Sequence, residues 1–192
     1  MSILKAARSM FFSQGFDGTT IEAIAEKAEV AVGTVYNYFE SKSAIILAIT
    51  ADDTSEALFE KFQLPESCTG IEGVKRYVDT FMKSLSMYPK RLIRELMREA
   101  WSIDSTLCNG LIRQDLTLLN GLVGVLAELK ANHRIKPDTD IEHASMVIYG
   151  TVSTALMWYA ADENRTSEQL MESLEEMLEV LFIGLAPEGR NL

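Results

Sequence analysis

The chain has 192 residues, 47% of them hydrophobic and 24% charged, which excludes a stapled miniprotein and wholesale disorder and leaves room for a sizeable core. Its formal charge of −10 argues at first against a nucleic-acid partner, because phosphate neutralisation calls for clustered lysine and arginine. The first fifty residues set four cations (Lys5, Arg8, Lys27, Lys42) against five carboxylates (Asp17, Glu22, Glu26, Glu29, Glu40), so they are nearly neutral and the acidity lies in the rest.

Two distant cysteines, Cys68 and Cys108, offer neither a disulfide framework nor a zinc ribbon, and the start Met1 to Arg8 lacks an uninterrupted signal-peptide core. Reduced thiols in a cytoplasmic protein are expected. Four well-spaced prolines separate segments of helical periodicity, so the fold class is all-α, with about nine helices. Capping boxes are expected at Thr19–Glu22, Thr69–Glu72, Thr139–Glu142 and Thr166–Gln169.

In chain order, Ile3 to Gln14 reads as a short helix with Leu4, Ala7, Met10 and Phe11 on one face, closed by Gly15 as a left-handed cap. Thr20 to Ala28 and Val32 to Phe39 are two more short helices, and Ser41 caps a longer fourth running to about Phe62. After a connector at 63–70, the stripe Ile71, Val74, Tyr77, Val78, Phe81, Leu85 and Tyr88 marks a helix. Pro89 opens the next, with Leu92, Ile93, Leu96, Met97 and Trp101, and Asp104 caps a long one reaching Leu129.

Ala144 to Ala161 carries no charge, but its serines, threonines and glycine dilute the hydrophobicity, so a helix packed on several sides is expected in place of a membrane span. The last helix, Thr166 to Leu185, has a leucine stripe opposite glutamates, and these two helices together offer a strip to a partner. No repeat or low-complexity tract interrupts the chain, and the expected division is a unit at 1–45 joined, inside a helix, to a unit at 46–192.

Residues 15 to 42 hold two short helices separated by about four residues, which is helix-turn-helix spacing. Ile21, Ile24, Ala25, Ala28, Val30, Val35 and Phe39 can close a small core, while Gly33, Thr34, Tyr36, Asn37, Tyr38 and Lys42 crowd the third helix and its exit with groups suited to phosphates and base edges. Spacing alone leaves open a plain helical hairpin with exposed tyrosines.

The run Thr19-Thr20-Ile21 through Ile24-Ala25, then Val30, Gly33-Thr34-Val35-Tyr36-Asn37-Tyr38-Phe39 and Ser41-Lys42 resembles the N-terminal domain of TetR-family bacterial transcriptional regulators over about residues 3–50. The resemblance implies that the third helix enters the major groove. Gly33 would then allow close backbone approach, and Thr34 and Asn37 would contact base edges or nearby phosphates. It further implies that Tyr36 and Tyr38 bind phosphates and that Thr20 and Lys42 grip the flanking backbone.

Three departures bear on the turn: Glu29 stands where glycine is common, Ala31 where serine often caps, and Val32 where a polar residue is frequent, so a base contact there would be apolar. No basic arm precedes the first helix, which argues against minor-groove reading.

With so few cations, one copy would bind feebly, and the remedy is a homodimer on palindromic operator DNA, its third helices about 34 Å apart, with a modest salt dependence. The resemblance implies dimerisation through the last two helices and a small-molecule effector held by the middle ones. Tyr77, Phe81, Met97, Trp101, Leu119, Met157 and Trp158 are the candidate lining, for a largely apolar effector that releases a repressor from its operator.

No phosphate-binding loop, dinucleotide fingerprint, His-Glu-x-x-His or nucleophile elbow is present, so an enzyme, a cofactor and a metal site are not expected. Asp140-Ile-Glu-His143 has metal-compatible spacing but reads better as a solvated helix start. A helical ligand-binding or adaptor protein that has lost DNA reading is the alternative, suggested by the charge and the altered turn.

Overall fold

Helix boundaries fall where a side chain or a permissive backbone satisfies the free N–H and C=O groups of a helix end. The computed structural model describes residues 2–55, 62–100 and 106–183, those at 54–55, 98–100 and 106–117 in backbone alone. The described elements are α1 (Ile3–Gly18), α2 (Ile21–Ala28), α3 (Val32–Tyr38), α4 (Lys42–Ser55), α5 (Gly70–Ser86), α6 (Lys90–Ala100), α7 (Thr106–Ala131), α8 (Ile141–Ala161) and α9 (Ser167–Ile183). No strand occurs among the described residues.

Two capping boxes form as expected. Thr69 and Glu72 exchange hydrogen bonds at 2.8 and 3.3 Å, as do Thr166 and Gln169 at 3.0 and 3.2 Å. The other two are replaced. The Thr19 side chain is buried and donates to the Gly15 carbonyl at 2.8 Å, so Thr20 caps α2 by accepting from the Ala23 N–H at 3.2 Å. At α8 the carboxylate of Asp140 displaces Thr139, accepting from the His143 N–H at 3.1 Å and contacting its ring Nδ1 at 2.8 Å. A negative charge at a helix N-terminus is favoured, and the backbone hydrogen bond from His143 holds this carboxyl below its usual pKa. The Asp140–His143 pair is therefore a helix cap.

Gly15 departs from the expected left-handed cap. Its φ of 76° is joined to an extended ψ of 173°, a combination open essentially to glycine, and it kinks α1 before one further turn. Helix α4 is described only to Ser55, and Phe62 already lies in the connector; the expected caps and contacts at Asp104 and Trp101 lie outside the described residues.

Helix α4 is the shared wall. It packs on α1 on one side and on α5, α6 and α7 on the other, with Ile45, Ile46 and Ile49 buried. Helices α7, α8 and α9 pack in succession, and α9 returns to α5. On α8, Ile148, Val152, Ala155 and Tyr159 form the buried stripe, whereas Met146, Val147, Met157 and Trp158 are exposed. The uncharged helix is thus packed on one face and bare on the other, and no described helix is long and apolar enough to cross a membrane.

The α5–α7 contact is specified by a glycine. A β-carbon at Gly121 would collide with the Tyr77 hydroxyl and stand 2.5 Å from its Cζ, whereas one at Gly124 would meet nothing within 4 Å. Alanine is favoured over glycine in a helix by about 1 kcal/mol, so Gly124→Ala is expected to raise unfolding free energy by up to about that amount. Overpacking costs about 1–3 kcal/mol, so Gly121→Ala is expected to lower it instead. Urea unfolding of the two variants checks the opposite signs.

Candidate nucleic-acid interface and its anchorage

The two short helices are closed by their own apolar side chains. Ile21, Ile24, Ala25, Ala28 and Val35 are buried together with Phe11 and Phe16 of α1, so the polar remainder of α3 has no inward place to go. The turn between α2 and α3 is built around Glu29, left-handed at φ 60° and ψ 43°. Its N–H donates to the Glu26 carbonyl and the Val30 N–H donates to that of Ala25, both at 3.0 Å, so the helix end is satisfied in spite of the missing glycine. As the sequence implies, Ala31 begins α3 without a side-chain cap.

The outward face carries most of the groups expected there. Tyr36 is 50% exposed and Tyr38 73%, Asn37 is exposed, and Thr34 is half-buried. Nothing lies within 4 Å of the β position of Gly33, so this stretch of backbone can approach another surface closely. Val32 is exposed on the same short helix, a methyl-bearing contact in a row of polar ones. Thr20 is exposed at the start of α2, its Oγ1 already capping the helix.

Lys42 has a different setting from the one expected of a phosphate clamp. Its ammonium donates to the carbonyls of Phe16 at 2.5 Å and Thr19 at 2.8 Å and sits 4.3 Å from the Phe16 ring centre. Burial lowers its pKa, opposed by the charge of Glu95. It holds the end of α1 against the start of α4, and any phosphate must share it with these carbonyls. Among the other cations Lys5 is exposed, Lys27 reaches Ser9 Oγ at 2.8 Å, and Arg8 is ion-paired with Asp53.

That last pair belongs to a junction the sequence did not announce. Asp53 on α4 accepts both from Arg8 of α1 and from the Tyr88 hydroxyl after α5, and Arg8 also donates to Tyr88 at 3.3 Å. Burial pushes the Tyr88 phenol up to about 12, so it stays a donor. Phe12 lies against the Tyr88 ring at 5.4 Å, and Arg91 of α6 pairs with Asp17 beside the kink. Partners so far apart in sequence leave no local spacing that could have revealed them.

The candidates for an effector pocket separate. Tyr77 and Phe81 are buried on α5, and Met97 and Leu119 are half-buried. Met157 and Trp158 are 46% and 49% exposed, because they share the bare face of α8 with Val147 and Gly150 and not the buried stripe. Tyr77 lines a cavity of about 510 Å³ between the connector and α7. A second cavity, of about 480 Å³, lies where α5, α7, α8 and α9 meet, with Arg134 and Lys136 at its wall. Neither was legible, since each is made by segments that meet only in the fold.

A family model for bacterial regulatory proteins of the tetR family matches residues 3–49. The chain is 25% identical over 182 residues to the HTH-type transcriptional regulator UidR of Escherichia coli K12, which covers 92% of this chain and 89% of UidR. Two crystal structures share its fold. One is the transcriptional regulator FadR of Bacillus subtilis in complex with stearoyl-CoA, with a TM-score of 0.72, 23% identity, and coverage of 96% of this chain and 98% of that one. The other is FadR of Thermus thermophilus, a TetR-family repressor in complex with lauroyl-CoA, with a TM-score of 0.74, 21% identity, and coverage of 99% and 96%.

The two roles on this face are separable. Asn37→Ala is expected to leave the melting temperature unchanged and to cost about 1–3 kcal/mol of operator discrimination. Lys42→Ala should also lower folding stability, by about 1.5–3 kcal/mol, because two carbonyls lose a charged donor. Thermal melts beside mobility shifts of both variants check the contrast.

Proposed function

We propose that the chain, whose residues 3–49 match the model for bacterial regulatory proteins of the tetR family, is a repressor that binds a palindromic operator as a homodimer and is released by a small, largely apolar effector. The observation that carries this reading is the α2–α3 face, where Tyr36, Asn37 and Tyr38 stand exposed beside an open Gly33 over a closed apolar core. Thr34 and Asn37 would read base edges, Tyr36 and Tyr38 would hold phosphates, and Thr20 and Lys42 would flank the groove. The division at 1–45 and 46–192 gives a reading head and an effector-binding body that share α4. Such a protein works where operator DNA is, in the cytoplasm.

Dimerisation through α8 and α9 is supported by their bare apolar face. Val147, Gly150, Thr154, Val180 and Leu181 line an open groove between the two helices, and Phe182 and Ile183 continue it. Exposed apolar strips of this kind mark association sites, and Gly150, with nothing near its β position, lets a second helix approach. The acyl-CoA ligands of the two FadR structures support an effector with a hydrocarbon part. Tyr77, Phe81, Met97 and Leu119 are the described residues proposed to meet it.

Mobility shifts on selected genomic fragments test the function: a salt-sensitive complex supports it, and the absence of any selected fragment favours a helical adaptor instead. Gly150→Arg places a charge on the bare face without crowding the chain. It is expected to give a folded monomer by sedimentation and at least about a hundredfold weaker operator binding, since two linked heads bind far more tightly than one.

A further inference from the structure

Tyr77 is 2% exposed, and its hydroxyl has no hydrogen-bond partner among the described residues. Buried hydroxyls are nearly always paired, because desolvating one without compensation is unfavourable. Packing alone gives no reason for it, since phenylalanine would supply the same ring, which meets Phe62 edge-on at 5.0 Å. The hydroxyl lies in the notch that Gly121 leaves in α7, and one turn on Gly124 leaves a second gap. Phe62, Leu64 and Val125 supply the apolar side chains around the cavity of about 510 Å³ there, with Gln63 and Glu128 as its other polar residues. Burial pushes the phenol up to about 12, so it keeps its proton at neutral pH.

We propose that this groove seats the effector and that the Tyr77 hydroxyl donates its hydrogen bond to a neutral carbonyl oxygen of an otherwise hydrocarbon ligand. The proposal rests on the reading of the chain as an effector-responsive regulator and gives that effector a chemical class. Charge selects the neutral carbonyl over a carboxylate: Glu128 is the charged residue of the lining and no basic side chain is among the described lining residues, so an anionic head would meet like charge. The hydroxyl is covered in the free chain, so a ligand carbonyl reaches it as the side chains of the groove give way.

Calorimetric titration of the full-length protein with 2-nonanone and with nonanoate tests this. The ketone is expected to bind at least about tenfold more tightly than the carboxylate, and Tyr77→Phe to weaken the ketone by about five- to tenfold, the worth of one neutral hydrogen bond. The same variant should melt no lower than wild type, since it loses an unpaired hydroxyl. The infrared carbonyl stretch of bound 2-nonanone should lie at lower wavenumber in wild type than in Tyr77→Phe. A ketone that does not bind, a carboxylate that binds as well, or a Tyr77→Phe variant with unchanged ketone affinity overturns the proposal. The titration uses no DNA, so failure of the regulator reading appears separately, as a ligand-free protein that selects no genomic fragment.

Discussion

One carboxylate joins three parts of the chain. Asp53, on the helix shared by both regions, accepts from Arg8 in the first helix and from Tyr88 at the end of α5, and Asp17 with Arg91 repeats the link nearby. A partly exposed ion pair is worth little alone, about 1 kcal/mol or less. Its importance here is positional: α4 is packed on α1 and on α5 to α7, so these polar ties hold α1, on which α2 and then α3 are packed, to the rest of the chain. A displacement at α5 or α6 would be felt through these ties at α1 and α4, and α1 packs in turn on α2. Coupling between two sites needs a shared element that both can bias, and in the proposed function α4 with its junction would be that element.

The electrostatics of the chain follow the same division. A protein of charge −10 cannot hold DNA by general attraction. Several of the cations in its first fifty residues serve internal ends: Arg8 holds Asp53, Lys42 holds two carbonyls, and Lys27 reaches Ser9. What α3 exposes, and would offer DNA in the proposed function, is mostly neutral, with tyrosine hydroxyls, an amide, a valine and exposed backbone. Such a surface would discriminate by geometry more than by charge, which is why the proposed function includes a second copy.

Much of this was legible in the sequence because it is local. The three short helices, the uncapped Ala31 and the Ser41 cap each follow from residue types within one turn, whereas the left-handed Glu29 runs against its residue type. Capping boxes were legible only where no nearer residue competed: Thr20 displaced Thr19 and Asp140 displaced Thr139 because each sits one position closer to its helix. The anchoring contacts of Lys42 were not legible, since nothing local says that the carbonyls of Phe16 and Thr19, 26 and 23 positions earlier, lie within its reach. Met157 and Trp158 were placed with the effector because aromatic and sulfur side chains suit a pocket, yet the period of α8 turns them outward. The orphan hydroxyl of Tyr77 and the notch at Gly121 are 44 positions apart in the chain and meet only in the fold.

The mounting of the reading head on the body is tested most directly by amide hydrogen exchange in wild type and in Asp53→Asn, which keeps the side-chain shape and removes the charge. Exchange should quicken in α1 to α3 and in the first turns of α4, with α7 to α9 unchanged, because only the local opening of the head becomes easier. Unaltered exchange in α1 to α3, or an increase spread evenly along the chain, would contradict the account.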